Sequence, residues 1–224
     1  MRIPAPLLSL VIGFVGATST QAQLINTATS WDGVNAIAPF GEPGFATIGQ
    51  VFTTDNTFTQ LDAFAFALAY KAGGPVNYVG AVMAWDATDS HVTGPLLFAS
   101  GPLSIPTSAS NFTATIIPTG GIQLAPSTQY VAFLTTSPLF DGVPDAAQIG
   151  FVGSDVYSGG GAVALNNGSD LSALSNSTWL STPADLVFVA AFSSSPVPEP
   201  SSYGLMGVGA LAAIIWLRRR FRRE

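Results

Sequence analysis

Between residues 61 and 70 the chain reads Leu-Asp-Ala-Phe-Ala-Phe-Ala-Leu-Ala-Tyr, so that Phe64, Phe66, Leu68 and Tyr70 alternate with Ala63, Ala65, Ala67 and Ala69. A period of two sets large side chains on one face of an extended strand and methyl groups on the other. Alanine by itself favours helix, but the alternation and the aromatic content decide for a strand. The same reading predicts strands at 49–53, 77–85, 95–100, 112–117, 129–136, 148–152, 161–165 and 186–193. Turn signals separate them: Ala72-Gly73-Gly74-Pro75, Thr93-Gly94-Pro95, Thr119-Gly120-Gly121, Ala125-Pro126-Ser127, Gly159-Gly160-Gly161 and Asn166-Asn167-Gly168. Many short strands between regular turns predict an all-β chain, an antiparallel β-sandwich or jelly roll.

Two stretches read as irregular. Residues 23–48 are rich in Asn, Gly and Pro, with Trp31 and Phe40 as expected pins; residues 139–181 are expected to form loops and short hairpins at one end of the sandwich. No internal repeat stands out.

The two ends read differently from the middle. Arg2 precedes an apolar segment, residues 7–17, and small polar residues up to Ala22, the pattern of a secretory leader cut after Ala22. At the other end Ser193-Ser194-Ser195-Pro196 is an extended linker. Val197, Pro198, Glu199 and Pro200 follow, then a stretch without charge over 201–217, then Arg218, Arg219, Arg220, Arg222 and Arg223. Seventeen residues give roughly 25 Å of helix, slightly short of a bilayer core of about 30 Å, and snorkelling flanks make up the difference. The arginines would hold their end in the cytoplasm by the positive-inside rule, and Trp216 would lie at the interface. The expected organisation is therefore a leader at 1–22, one domain at 23–193 and a tail at 194–224.

This motif, apolar helix and basic cluster resemble the PEP-CTERM sorting signal of Gram-negative bacteria. The resemblance implies an exported protein, anchored in the inner membrane with a periplasmic ectodomain. An exosortase, a membrane transpeptidase, would then process it and deliver it to the cell surface or extracellular matrix, in the company of exopolysaccharide and biofilm systems. Tails of this type are also named for ice-binding proteins, a label that does not by itself imply ice binding. The stretch 49–136 is similar to a recurring module of secreted bacterial proteins, with Gly-Gln-x-Phe-Thr at 49–53, Leu-x-x-Phe-x-Phe-x-Leu at 61–68, Val-x-x-Trp-Asp at 82–86, Gly-Pro-Leu at 94–96 and Leu-x-Pro-x-x-x-Tyr-x-Ala-Phe-Leu at 124–134. Such modules resemble carbohydrate-binding sandwiches in outline, a likeness of fold from which function does not follow.

Charge and composition narrow the chemistry. Residues 23–196 hold eleven acids and one base, Lys71, a formal charge of −10. A surface so acidic repels phosphate backbones, which argues against nucleic-acid partners. The chain has no cysteine, which removes disulfides, thiolate metal sites and cysteine nucleophiles. His91 is the one histidine, in the turn-like run 86–91, and reads as an exposed loop residue. No Gly-x-Ser-x-Gly, Walker loop or Gly-x-Gly-x-x-Gly is present.

The remaining candidates are carboxylates and aromatics. Asp86 with Asp89, and Asp141 with Asp145, are the nearest pairs for glycoside hydrolysis, the lowest-ranked reading. The same four, with Asp155, supply hard oxygen ligands that would suit calcium; no other cofactor is expected. Tyr157 and Trp179, in loop-rich sequence, are the aromatics expected to be exposed for stacking on sugar rings, whereas Trp85 and Tyr130 lie in strand patterns and read as core. The sequence thus reads as a non-catalytic surface or matrix protein, with a calcium-assisted lectin-like module as the alternative.

Overall fold

In a computed structural model, which describes residues 22–194, the chain is all-β. The expected leader, the 197–200 motif, the 201–217 apolar stretch and the 218–223 arginines lie outside the described residues. Among the described residues no helix is long and apolar enough to cross a membrane.

In chain order the strands are β1 (Ala22–Asn26), β2 (Ala36–Phe40), β3 (Thr47–Thr53), β4 (Gln60–Gly73), β5 (Val76–Asp86), β6 (His91–Ala99), β7 (Leu103–Ile105), β8 (Thr113–Gln123), β9 (Gln129–Thr135), β10 (Asp145–Gly150), β11 (Ala162–Leu165), β12 (Leu180–Thr182) and β13 (Phe188–Ser193). One short helix, α1, spans Ala173–Asn176. The strands form two antiparallel sheets. The first runs β1-β13-β4-β10-β2, with β8 on the other edge of β4; the second runs β12-β11-β3-β9-β5-β6, with β7 beside the start of β5.

β4 organises the first sheet. Its Phe64, Phe66 and Leu68 are each 1% exposed and point between the sheets, while Ala65, Ala67 and Ala69 take the opposite face, as the alternation requires. One edge of β4 is shared end to end by β13, from Ser193 opposite Gln60 to Phe188 opposite Phe66, and by β10, from Ile149 opposite Leu68 to Asp145 opposite Gly73. Between the sheets, Phe52 of β3 lies 5.7 Å from Phe192 and 6.2 Å from Phe188, and Phe66 lies 5.2 Å from Phe188. These fused contacts add to burial by the usual preference of aromatic pairs for offset and edge arrangements.

The middle of the second sheet, β11, β3, β9 and β5, is largely buried on both faces, while the edge strands β6 and β12 are mostly exposed. Val51, Met83, Trp85, Val131, Phe133, Val163 and Leu165 point away from the main core and form a second cluster, roofed by Leu174 of α1 and by Trp179. The 139–181 stretch therefore does not stay at one end of the sandwich: part of it lies across a sheet face. Residues 23–48 are also more regular than their composition suggests, since they supply β1 and β2. Phe40 is fully buried, and Trp31 packs edge-on against Phe112 at 5.0 Å.

Two expected turns are corrected. Gly94 (φ +70°) lies inside β6, and Gly120 (φ +74°) and Gly121 (φ +82°) lie inside β8. The ladders shift register near them, between Val82 and Ala84 and between Leu61 and Ala63. Glycine at positive φ serves a bulge as readily as a turn.

Candidate functional site

The turn between β5 and β6 gathers the polar chemistry of the second sheet. Asp86 and His91 close it as directly opposed residues. The Oδ1 of Asp86 accepts from the backbone N–H of Thr88 at 2.8 Å and of Asp89 at 3.3 Å, so the carboxylate shapes the turn. Those two N–H groups, and then His91, hold the Asp86 carboxyl below its ordinary pKa. Asp86, Asp89 and His91 each offer a ligand atom within 4.8 Å of the others, and among the described residues this is the one such group of three. Two carboxylates and an imidazole form a mixed oxygen–nitrogen donor set for a divalent cation. His91, read from sequence as a loop residue, belongs with the two expected carboxylates; opposed positions five residues apart across a tight turn were the signal for it.

Beside the turn lies an open cleft of about 180 Å³, lined by Val51, Trp85, Ala87, Ser90, Gln129, Gly160, Gly161, Val163, Ser181 and Thr182. Small-molecule sites usually enclose roughly 300–1,000 Å³, so this groove suits part of an extended ligand better than an engulfed one. Its polar groups are neutral hydroxyls and an amide, and Trp85, 9% exposed, supplies an aromatic edge. A second, apolar cleft of about 150 Å³ adjoins it, sharing Val163, Ser181 and Thr182.

The wall at Gly160 and Gly161 depends on the absence of side chains. A Cβ at Gly160 would run into the carbonyl of Val51, and one at Gly161 into that of Thr182. The loop that carries them is fastened by Asp185, which is 0% exposed. Its carboxylate accepts from Gln50 Nε2 at 2.7 Å and from the backbone N–H of Val156 and Tyr157 at 2.8 and 2.9 Å. Gln50 completes the brace by accepting from the N–H of Leu186 at 2.9 Å. Burial pushes the Asp185 carboxyl pKa up, against these three donors.

The aromatic candidates fare differently. The expected exposure of Trp179 is corrected: it is 2% exposed, packed edge-on against Trp85 and Phe133 at 5.6 Å each. Its Nε1 donates to Leu174 O at 2.8 Å and its backbone N–H to Ser90 O at 2.7 Å. The outward rings of β5 and β9 needed a cover, and the loop-rich segment provides it. Tyr157 is half-buried; its hydroxyl accepts from Thr53 N–H at 3.1 Å and donates to Thr53 O at 3.2 Å. Trp85, read as core, is the aromatic that lines the cleft.

Asp141 and Asp145 lie at the other end of β4, joined to Glu42 rather than to the cleft. Glu42, 5% exposed, accepts from the N–H groups of Asp141 and Gly142 at 2.9 and 2.8 Å, and its own N–H donates to Asp145 Oδ1 at 2.7 Å. Burial, together with the charges of Glu42 and Asp141, raises the Asp145 pKa. Asp155, the further calcium candidate, lies exposed in the loop fastened by Asp185.

Comparison with known proteins bears first on the tail. Residues 196–220 match the model of the PEP-CTERM protein-sorting motif. No curated protein sequence matches the chain. Among solved structures, a clostridial cysteine protease after propeptide cleavage is 12% identical, with a TM-score of 0.48 over 78% of this chain and 40% of that one. The cysteine protease and lectin-like domains of a surface layer associated protein of Clostridium difficile are 13% identical, with a TM-score of 0.42 over 66% of this chain and 32% of that one. The chain thus spans less than half the length of either.

Proposed function

We propose that this chain, which carries a PEP-CTERM sorting motif at residues 196–220, is an exported surface protein with a non-catalytic structural or adhesive role in an exopolysaccharide matrix. The motif implies export, membrane anchoring before processing, and an exosortase as the processing enzyme. The observation that carries the reading is continuity: β13 ends at Ser193, and the motif match begins at residue 196. The 201–217 stretch then serves as the membrane anchor, with the five arginines on the cytoplasmic side. The acidic, cysteine-free sandwich is the part left outside.

Intact-mass analysis of the protein from its host, with and without the exosortase, tests this. Loss of both terminal segments and release to the surface is expected when the enzyme is present, and retention of the tail in the inner membrane when it is absent. Recovery of the domain in the cytosol with its leader attached would overturn the reading.

A second reading, binding of a neutral glycan, is favoured by the groove beside the turn. Ser90, Gln129, Ser181 and Thr182 offer uncharged hydrogen-bonding groups along one aromatic edge, next to a donor set that would hold calcium. Glycan-array binding that a chelator abolishes, and that Gln129→Ala weakens without changing the urea midpoint, is the expected result; no binding with or without calcium sinks it.

A further inference from the structure

The two ends of the described chain meet at one place. β1 pairs with β13 in an antiparallel register that sets Ala22 opposite Ser193 and Asn26 opposite Val189. Thr27, 1% exposed, locks the pair: its hydroxyl donates to Leu186 O at 2.5 Å and accepts from Phe188 N–H at 2.8 Å. The segment before Ala22 and the tail after Ser193 therefore leave the sandwich side by side.

The ladders show which end this is. Ser193 faces Gln60, and Gln60 faces Gln123. Loops 54–59 and 124–128 join there, with Thr54 N–H donating to Thr128 O at 3.1 Å and Ser127 Oγ to Asn56 Oδ1 at 2.6 Å. In the second sheet Thr53 faces Gln129 and Ala84 faces Tyr130, which brings the Asp86–His91 turn to the same end. The opposite end holds Gly73, Asp145 and Lys71.

Resting on the membrane-anchored stage proposed above, we infer that the domain stands on the bilayer with the end formed by loops 54–59 and 124–128 toward the headgroups and the Lys71 end outward. Tether length decides it. Residues 194–200 separate the sandwich from the uncharged stretch and span at most roughly 25 Å when fully extended. β4 alone, with 14 residues, is about 46 Å long. The tail cannot run the length of the sandwich, so the inverted orientation is out of reach, and a leader still attached at Ala22 pulls on the same end. The headgroup-facing end carries Asp55, Asp62, Asp86 and Asp89 and no Lys or Arg. Lys71, the single base of the described chain, lies at the other end together with Glu42, Asp141 and Asp145, so charge does not choose between the ends and tether length does. The near end thus stands off an anionic surface rather than embedding in it, over a distance set by a Debye length of about 8–10 Å. The groove opens in this near half, so cutting the tail removes the bilayer from its vicinity.

The absence of cysteine makes the test direct. The full chain, carrying one fluorophore on Thr57→Cys or on Ala72→Cys, both exposed positions, is reconstituted in zwitterionic vesicles containing a headgroup-quencher lipid. Flotation with the vesicles and at least threefold stronger quenching at position 57 than at 72 are expected. Equal quenching, or stronger quenching at 72, in a floating chain overturns the orientation while leaving the anchoring intact. A chain that does not float overturns the anchoring, and the orientation with it.

Discussion

Asp145 and the glycines of the cleft wall show how single residues set the limits of this domain. The Asp145 pKa is raised by burial and by the neighbouring Glu42 and Asp141 charges. The folded chain therefore holds that proton to higher pH than the unfolded chain does, so the contribution is present at low pH and is lost as pH rises through the raised value. Asp32, Asp86 and Asp170 are lowered by hydrogen bonds from their own turns and act in the opposite sense, below the ordinary carboxylate range. We expect urea midpoints measured from pH 7 to pH 3 to rise to a maximum near the ordinary carboxylate range, about pH 4, and then fall. Asp145→Asn, which keeps an oxygen for the Glu42 N–H, is expected to flatten the limb above the maximum by less than about 1 kcal/mol, because the group is partly solvated. A midpoint that falls steadily from pH 7 would contradict this. Gly160→Ala places a methyl against the Val51 carbonyl; overpacking of this kind costs about 1–3 kcal/mol, to be read as a lower urea midpoint at unchanged slope.

At the level of elements, the second sheet behaves as a strand layer with two cores, and its outer core depends on the short segment that holds α1 and Trp179. Truncating Trp179 to Ala removes a ring that touches both Trp85 and Phe133. A loss of about 3–5 kcal/mol in urea unfolding is expected, with Trp179→Phe milder; near-neutral Trp179→Ala would mean that the segment is not a structural roof. β4 was legible in the sequence because its period-two alternation is visible locally, and β9 because its short continuous apolar run, Tyr130 to Leu134, is bounded by turn signals. β1, β2, β7 and β12 were not, because they are only three to five residues long, too short for a pattern to show, and what makes them strands is the neighbouring strand they pair with. The glycines at 94 and 120–121 were legible as backbone irregularities but not as bulges, since the same residue serves both. His91 and Trp85 entered the candidate site only when the β5–β6 hairpin and the groove were in place.

For the whole molecule, closure of the N-terminal strand on the C-terminal one is the long-range step. Thr27 bonds to residues more than 150 positions away. Thr27→Val keeps the shape and leaves the Phe188 N–H without its hydroxyl partner; a loss of about 1–3 kcal/mol is expected, along with faster amide exchange across 23–27 and 188–193. Unchanged exchange there would show that β1 and β13 do not close as a unit. The sequence by itself determined the strand-rich class, the acidic and cysteine-free character, and the sorting tail, because alternation, charge count and a contiguous motif are all written in adjacent residues. Only the tertiary structure decided that Trp179 is a roof rather than a platform, that Asp86 and Asp89 gain His91 while Asp141 and Asp145 join Glu42, and that both ends leave from one end of the sandwich. Each of those depends on the register between strands distant in the chain, which no local pattern encodes.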